Sequence, residues 1–285
     1  MKVTNIHNLP EPLVKAVSYD IHPRSGFSVT DLIQSPRITQ LMRRHWDDIE
    51  VDVSERIWAL LGSSIHVVLE KGELPGSLKE RTLKAKVNGT NISGRPDLWH
   101  EGVLMDWKIT SVWNIIFEPD GRKEYHTQLN IYKWLYEING LDCNSLEICA
   151  ILRDWQQSKV VDHDYPKIPV VVIPIPIWDK ATIENYIFER VKLHKEAKDL
   201  PDNELPPCTD DEMWAKPTKY ALMHEGKKSA VALLNTEEEA QARLSRIIEG
   251  RGYYIQERPG KRGRCEGYCV VNKFCSQFRE YKEAK

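Results

Sequence analysis

The spacing of apolar residues predicts five helices along the chain. Apolar positions recur every three or four residues in these segments, as on one face of a helix. A capping-box pattern at Ser28 to Asp31 begins the first helix, and Gly140 follows the end of the third. The predicted helices are 28–46, 54–70, 124–139, 182–200 and a short one at 236–249.

Strands are predicted between these helices. A β-hairpin has a first strand that ends near Asp97, a turn at 100–102 and a returning strand at 103–109. Proline alternates with apolar residues in 169–178, which favours a strand at the edge of a sheet. The remaining predicted strands are 79–87 and 145–155. This order of elements predicts an α/β fold, in which helices flank a mixed central sheet.

The hairpin places three charged side chains in an apolar setting. Asp97 and Asp106 fall on adjacent strands, and Lys108 points to the same face as Asp106 because side chains alternate along a strand. An exposed hairpin with scattered charges is the simpler interpretation, but the apolar neighbours Leu104 and Ile109 indicate a buried strand. Two carboxylates beside an ammonium suit Mg²⁺ or Mn²⁺ next to a phosphate.

Composition narrows the class of protein. The 285 residues are 41% hydrophobic and 29% charged, with a net charge of −2. A nucleic-acid surface must therefore be a local basic patch rather than a global field. We see no signal-peptide core and no apolar run long enough to span a membrane, so we expect a soluble, cytoplasmic protein with reduced thiols.

Cysteine spacing sets the C-terminal region apart. Three cysteines, Cys265, Cys269 and Cys275, follow one another closely in a polar tail, and Cys208 is the other cysteine of that region. Four thiolates suit tetrahedral Zn²⁺ or an iron–sulfur cluster, and spacing does not choose between them. We therefore divide the chain into an N-terminal lead-in (1–27), a core (28–200) and a cysteine-ligated region (201–285).

Several motifs in combination resemble the RecB-like branch of the PD-(D/E)XK nucleases. They are Gly62 to His66, Gly94 to Asp97, Asp106 to Lys108, and Gln128 with Tyr132. The resemblance implies a restriction-endonuclease-like core. It also implies metal ligands at His66, Asp97, Asp106 and the Trp107 carbonyl, a catalytic Lys108, and Gln128 and Tyr132 beside DNA.

The terminal cysteines resemble those of iron–sulfur nucleases of this branch, including phage-encoded exonucleases and CRISPR-associated four-cysteine nucleases. That resemblance implies a [4Fe–4S] cluster held by Cys208, Cys265, Cys269 and Cys275, with Zn²⁺ as the alternative. This sequence departs from the family pattern because Cys208 follows the core, whereas the first cysteine of the family precedes it.

The expected function is metal-dependent hydrolysis of DNA at ends or single strands during phage recombination, repair or processing. For a phage-encoded protein, the compartment would be the bacterial host cytoplasm. A recombination or single-strand-binding protein is an expected partner. Two alternatives stay open: a structure-selective endonuclease of the same superfamily, and a non-catalytic DNA-binding recombination accessory protein.

Overall fold

The computed structural model describes residues 1–18, 26–247 and 252–283. The chain forms two compact units, Met1–Leu205 and Pro206–Lys285. Each is described separately below.

Helices of the first unit flank its sheets. They are α1 (Glu11–Val17), α2 (Val29–Ile33), α3 (Pro36–Arg44), α4 (Ile57–Glu70), α5 (Val112–Phe117), α6 (Lys123–Ile138) and α7 (Lys180–Lys198). Short 3₁₀ turns occur at Trp46–Asp48, Val53–Arg56 and Gln157–Lys159. Its strands are β1 (Lys2–Thr4), β2 (Phe27–Ser28), β3 (Glu50–Asp52), β4 (Leu78–Lys79), β5 (Leu83–Val87), β6 (Thr90–Gly94), β7 (Leu98–His100), β8 (Val103–Thr110), β9 (Ser145–Leu152) and β10 (Val170–Pro174).

The main sheet has five strands in the order β10-β9-β8-β7-β4. Strands β8 and β9 pair in parallel, whereas the other neighbours are antiparallel. A sheet of both kinds, flanked by helices, confirms the expected mixed α/β class. Strand β10 lies at one edge, as its prolines predict. A smaller sheet has the order β2-β6-β5, and β1 pairs with β3.

Helix α6 supplies much of the core. Leu129, Ile131 and Leu135 are fully buried, and α6 contacts β5, β8 and β9. Helix α7 adds Ile187 and Val191 to the same core. Helix α6 thus packs directly beside β8, the strand that carries Asp106 and Lys108.

Several predicted elements are wrong in detail. The first strand of the hairpin was expected to end near Asp97, but β7 begins after it, at Leu98. The helix expected at 28–46 is two helices, because Pro36 disfavours a helical conformation at Ser35 and begins α3 instead. The strand expected at 79–87 is interrupted at Glu80, whose φ is 48°, so that β4 and β5 join different sheets. In addition, α4 buries none of its residues, although the predicted apolar stripe includes Val68.

The second unit combines short helices and strands. Its helices are α8 (Asp210–Met213), α9 (Glu237–Ser245), α10 (Gly263–Gly267) and α11 (Ser276–Glu283), with a 3₁₀ turn at Asn272–Phe274. Its strands are β11 (Ala215–Lys216), β12 (Lys219–His224), β13 (Ala232–Leu234), β14 (Tyr253–Arg258) and β15 (Lys261–Arg262). The end of the helix predicted at 236–249 lies outside the described residues. Within the described ranges, no helix is both long and apolar enough to cross a membrane.

Candidate metal and catalytic centre

The β7–β8 hairpin brings the two aspartates together. Its turn residues Glu101 and Gly102 both have positive φ, which matches the twist of a tight two-residue turn. The register pairs Leu98 with Met105, so that one residue further on Asp97 faces Asp106. Both aspartates are buried. Neighbouring buried carboxylates repel each other unless a cation or a proton lies between them.

His66 on α4 completes a group of three possible ligands. Its Nδ1 atom lies 3.1 Å from Asp97 Oδ1 and 3.6 Å from Glu80 Oε1. One ligand atom from each of these residues lies within 4.8 Å of the others. A histidine nitrogen and carboxylate oxygens form a donor set that Mn²⁺ and Mg²⁺ accept.

Glu80 is a site residue that the sequence analysis missed. The backbone N–H of Glu80 donates to the Asp97 carbonyl at 3.2 Å, and its side chain accepts from Arg95 Nε at 2.9 Å. The left-handed backbone of Glu80 ends β4 and turns this carboxylate toward His66. Position 80 carries no turn signal, because it is occupied by neither glycine nor asparagine.

Trp107 contributes through its backbone. Its N–H donates to Asp97 Oδ2 at 2.7 Å, so this edge of β8 faces the aspartate. In an antiparallel ladder the N–H and C=O of one residue point to the same neighbour. Extending the register places Pro96 opposite Trp107, and proline has no N–H to donate to the Trp107 carbonyl. This carbonyl is therefore available on the side of the acidic group.

Lys108 connects the acidic group to α6. Its ammonium forms an ion pair with Asp106, and no other described group donates to the buried Asp106 Oδ2. Lys108 Nζ also donates to Gln128 Oε1 at 3.0 Å, and Gln128 Nε2 donates to the Tyr132 hydroxyl at 3.2 Å. Gln128 therefore fixes where the ammonium lies.

Burial and mutual repulsion alter the acid–base properties of the centre. The pKa of Asp106 is raised to about 6, chiefly by burial, because the opposing effect of Lys108 is incomplete and the charge of Asp97 adds to the rise. Burial and then Asp97 likewise raise the pKa of Glu80. The pKa of His66 is raised, first by its hydrogen bond with Asp97. Together these shifts indicate an excess of negative charge, which a divalent cation would offset.

The structure brings the residues expected in the core site into one place. His66 and Asp97 share the ligand group with Glu80, whereas Asp106 lies outside that group, faces Asp97 across the hairpin and pairs with Lys108. The hydrogen bonds above connect Lys108 to Gln128 and Tyr132. Tyr132 is buried rather than open to solvent, and it lines a cavity of about 380 Å³ beside Gly94 and Arg95.

Three of the four cysteines of the second unit lie near one another, and Cys208 is hydrogen-bonded to the helix that follows them. The Gln277 side chain accepts from the Cys208 N–H at 2.8 Å and donates to its carbonyl at 3.0 Å, which ties Cys208 to the start of α11. The pKa of Cys265 is raised to about 11, first by burial and then by the neighbouring Cys269 and Cys275. Among the described residues, no three of the four sulfur atoms lie within 4.8 Å of one another.

Comparison with known proteins gives structural similarities and no family. No family model matches the sequence, and no curated protein matches it. The crystal structure of SSO0001 superposes with a TM-score of 0.42 and 21% identity, covering 64% of this chain and 82% of the other. LHK-Exo in complex with dAMP gives 0.35 and 14% identity over 59% of this chain and 91% of the other. A phage related exonuclease from Haemophilus somnus 129PT gives 0.27 and 18%, covering 64% and 74%.

Proposed function

We propose that the protein is a divalent-metal-dependent deoxyribonuclease. The observation that carries the proposal is the ligand group of His66, Glu80 and Asp97, next to an Asp106 that faces Asp97 and pairs with Lys108. A binding protein has no need of a buried ammonium next to buried carboxylates, because each such group costs free energy to desolvate. The resemblance of the motifs to PD-(D/E)XK nucleases gives the reaction class, which is hydrolysis of a phosphodiester.

The residues fit Mg²⁺ or Mn²⁺. In this proposal His66, Asp97, Asp106 and the Trp107 carbonyl hold the cation, and Glu80 adds a carboxylate that the motifs do not include. The buried Asp106 Oδ2 supports the assignment, since Lys108 is its only described donor. When bound, the cation would activate water and stabilise charge on phosphorus.

Lys108 is the proposed catalytic lysine. Its ammonium would orient the attacking water or neutralise the developing negative charge on phosphate oxygen. Because Gln128 accepts a hydrogen bond from this ammonium, we assign Gln128 to holding Lys108 in position. Tyr132 lies beside the substrate in this proposal because the resembled motif places it there and its hydroxyl accepts a hydrogen bond from Gln128 at 3.2 Å. The described residues that line the cavity next to Tyr132 include none of the proposed cation ligands.

The proposed substrate is DNA at ends or single strands, and the proposed process is recombination, repair or processing of phage DNA. An exonuclease is the leading form of the proposal, and a structure-selective endonuclease would use the same centre. A recombination or single-strand-binding protein remains the proposed partner.

The second unit is proposed to be a cysteine-ligated module. Cys208, Cys265, Cys269 and Cys275 would hold a [4Fe–4S] cluster or Zn²⁺. The closeness of Cys265, Cys269 and Cys275 supports this assignment. A bound group would stabilise a unit that has few buried apolar residues. Metal analysis after anaerobic purification separates the two. Iron and sulfide with absorbance near 400 nm, a band expected from the resembled family, support the cluster. A colourless protein with stoichiometric zinc supports Zn²⁺.

Release of nucleotides from end-labelled DNA tests the nuclease function. Labelled single-stranded and double-stranded DNA of each polarity is incubated with the full chain and Mg²⁺ or Mn²⁺. We expect cleavage that requires the cation and is lost in Asp106→Ala and Lys108→Ala proteins. Glu101→Gln, in the turn of the same hairpin, is the matched control and should cleave normally. Unchanged cleavage by the Asp106→Ala protein would overturn the proposal.

A further inference from the structure

Large aromatic side chains are exposed on α4 and α5. Trp58 is 59% exposed, Trp113 is 54% exposed and Phe117 is 75% exposed. Rings of this size are normally buried, and a local group of exposed ones marks an interaction surface. Helix α5 packs on the core through the buried Val112 and the partly buried Ile115 and Ile116, so core packing does not account for the exposed Trp113 and Phe117.

The rings are held in defined arrangements. Trp113 and Phe117 lie one turn apart on α5, with ring centroids 5.8 Å apart and planes 21° from parallel. The Arg153 guanidinium carbon lies 4.4 Å from the centroid of the Trp58 ring. One pair therefore presents nearly parallel faces, and the other combines a ring with a cation.

Both pairs are anchored to the same two residues after β9. The Arg153 N–H donates to the Thr110 carbonyl at 3.0 Å. Asp154 Oδ1 accepts from the Val112 N–H at 2.7 Å, and Val112 immediately precedes Trp113. These bonds bring the start of α5 beside the arginine that covers Trp58.

This surface begins next to the candidate centre. Thr110 is two residues beyond Lys108 on β8, a separation of about 7 Å along the strand. Trp58 precedes His66 by two turns of α4, or about 12 Å. A nucleic-acid strand that crosses the centre therefore has a distance on the order of 10 Å to cover before it meets the aromatic side chains.

We infer that Trp58, Arg153, Trp113 and Phe117, here called the aromatic surface, bind successive unpaired bases of single-stranded DNA. The inference rests on the proposed nuclease function and narrows its substrate class. Exposed rings stack on the faces of bases, and the guanidinium supplies a cation for the backbone. In a duplex these faces are already stacked inside the helix, so the aromatic surface selects single strands.

Charges around the aromatic surface are compatible with a nucleic acid. The acidic side chain nearest to Phe117 in sequence, Glu118, is paired with Arg122 at 3.1 Å. Arg153 places its positive charge directly on the surface. Flat rings beside an arginine match grooves that bind single strands, where bases stack on aromatic side chains and arginine adds cation–π contacts.

Binding to labelled oligonucleotides tests the inference without relying on cleavage. The full chain is titrated, with Ca²⁺ replacing Mg²⁺, against fluorescein-labelled oligothymidylate of about twelve nucleotides and against a duplex of equal length. Fluorescence anisotropy gives the dissociation constant. The variants are Trp58→Ala and the double variant Trp113→Ala with Phe117→Ala. Phe188→Ala on α7, 43% exposed, is the matched control.

We expect each aromatic variant to raise the dissociation constant for the oligothymidylate about tenfold or more, since stacking contributes on the order of 1–3 kcal/mol per base. Duplex binding should change less than about twofold, the control should match the unaltered chain, and Trp113→Phe should retain binding because it keeps a stacking face.

Two results would overturn the inference: oligothymidylate binding that stays within about twofold in both aromatic variants, or equal losses for single strand and duplex. The outcome is separable from that of the nuclease proposal. A chain that binds single strands through these rings but cleaves no DNA would refute the nuclease function and retain the aromatic surface.

Discussion

The Lys108 ammonium donates a hydrogen bond to the Gln128 side-chain oxygen at 3.0 Å, across the contact between β8 and α6. The same ammonium pairs with Asp106. Gln128 therefore acts on the centre through Lys108. The Gln128 amide nitrogen donates its own hydrogen bond to the Tyr132 hydroxyl.

Replacing Gln128 by leucine should lower the turnover number more than it changes KM. The expected fall in kcat is roughly tenfold to a hundredfold, because a hydrogen bond to a charged group contributes on the order of 1.5–3 kcal/mol. Steady-state kinetics on labelled DNA measures both constants. Tyr132→Phe, which removes the next hydroxyl, should have a smaller effect. A rise in KM at constant kcat would show that Gln128 binds substrate instead.

Addition of Mn²⁺ or Mg²⁺ should raise the unfolding temperature of the protein. The fold without a cation carries the mutual repulsion of Glu80, Asp97 and Asp106, which a bound cation relieves. At about one hundred times Kd the shift should be roughly 5–10 °C, corresponding to about 2.7 kcal/mol. Thermal melting with increasing cation concentration measures it.

Asp106→Asn should abolish most of that shift, whereas Glu101→Gln should preserve it. Both acids belong to the same hairpin, but the Glu101 side chain is exposed in the turn. Equal stabilisation of the two variants by the cation would place the ion elsewhere.

Stability should decline below neutral pH because of His194. Burial, with a contribution from Arg190, lowers the pKa of this α7 side chain to about 3. The unfolded chain binds a proton near pH 6.5, whereas the folded chain does not. The contribution of the neutral His194 side chain to the free energy of unfolding is therefore complete above about pH 6.5. It is lost as the pH falls toward 3.

Denaturant unfolding at pH 7 and pH 5 measures this effect. Between pH 7 and pH 5, the free energy of unfolding of the His194→Leu protein should fall by about 2 kcal/mol less than that of the unaltered chain. The reason is that leucine binds no proton in the unfolded state. His163→Gln changes an exposed histidine and should behave like the unaltered chain. An identical decline in the His194→Leu protein would contradict the assignment.

Gly94→Ala should destabilise the first unit. A Cβ atom at this position would lie 2.7 Å from Leu135 Cδ1 and 2.8 Å from Tyr132 Cε1, both on α6. Overpacking of this kind costs typically 1–3 kcal/mol, and displacement of Tyr132 should also lower activity. Gly62→Ala is the matched control, since its Cβ meets nothing within 4 Å and alanine favours the helix. Thermal melting and cleavage assays compare the two.

Local signals in the sequence identified most of the elements. The turn and the returning strand of the hairpin were predictable because their signals lie within a few residues of each other, whereas the position of the first strand was predicted wrongly. Helix α6 was predictable from its period and from Gly140. The aspartates and Lys108 follow from that hairpin, and His66 from the family motif it resembles.

Long-range relationships were not predictable in this way. The Glu80 carboxylate lies near His66 because the Glu80 backbone is left-handed between β4 and β5, which belong to different sheets. No neighbouring residue in the sequence indicates that conformation. The bond between Gln128 and Lys108 depends on how closely α6 approaches β8. The break before α3 had a visible signal in Pro36, which the apolar period of the surrounding residues outweighed.

Pro96 limits how far the strand pairing of the hairpin can extend. Strand β7 begins at Leu98, and Pro96 has no N–H with which to extend the pairing, so the main-chain oxygen of Trp107 receives no hydrogen bond from this residue. A residue with an amide hydrogen at position 96 could donate to this oxygen and extend the strand pairing by one hydrogen bond. Every acidic side chain would stay unchanged. The chemistry of the centre thus depends on an imino acid that has no functional group of its own.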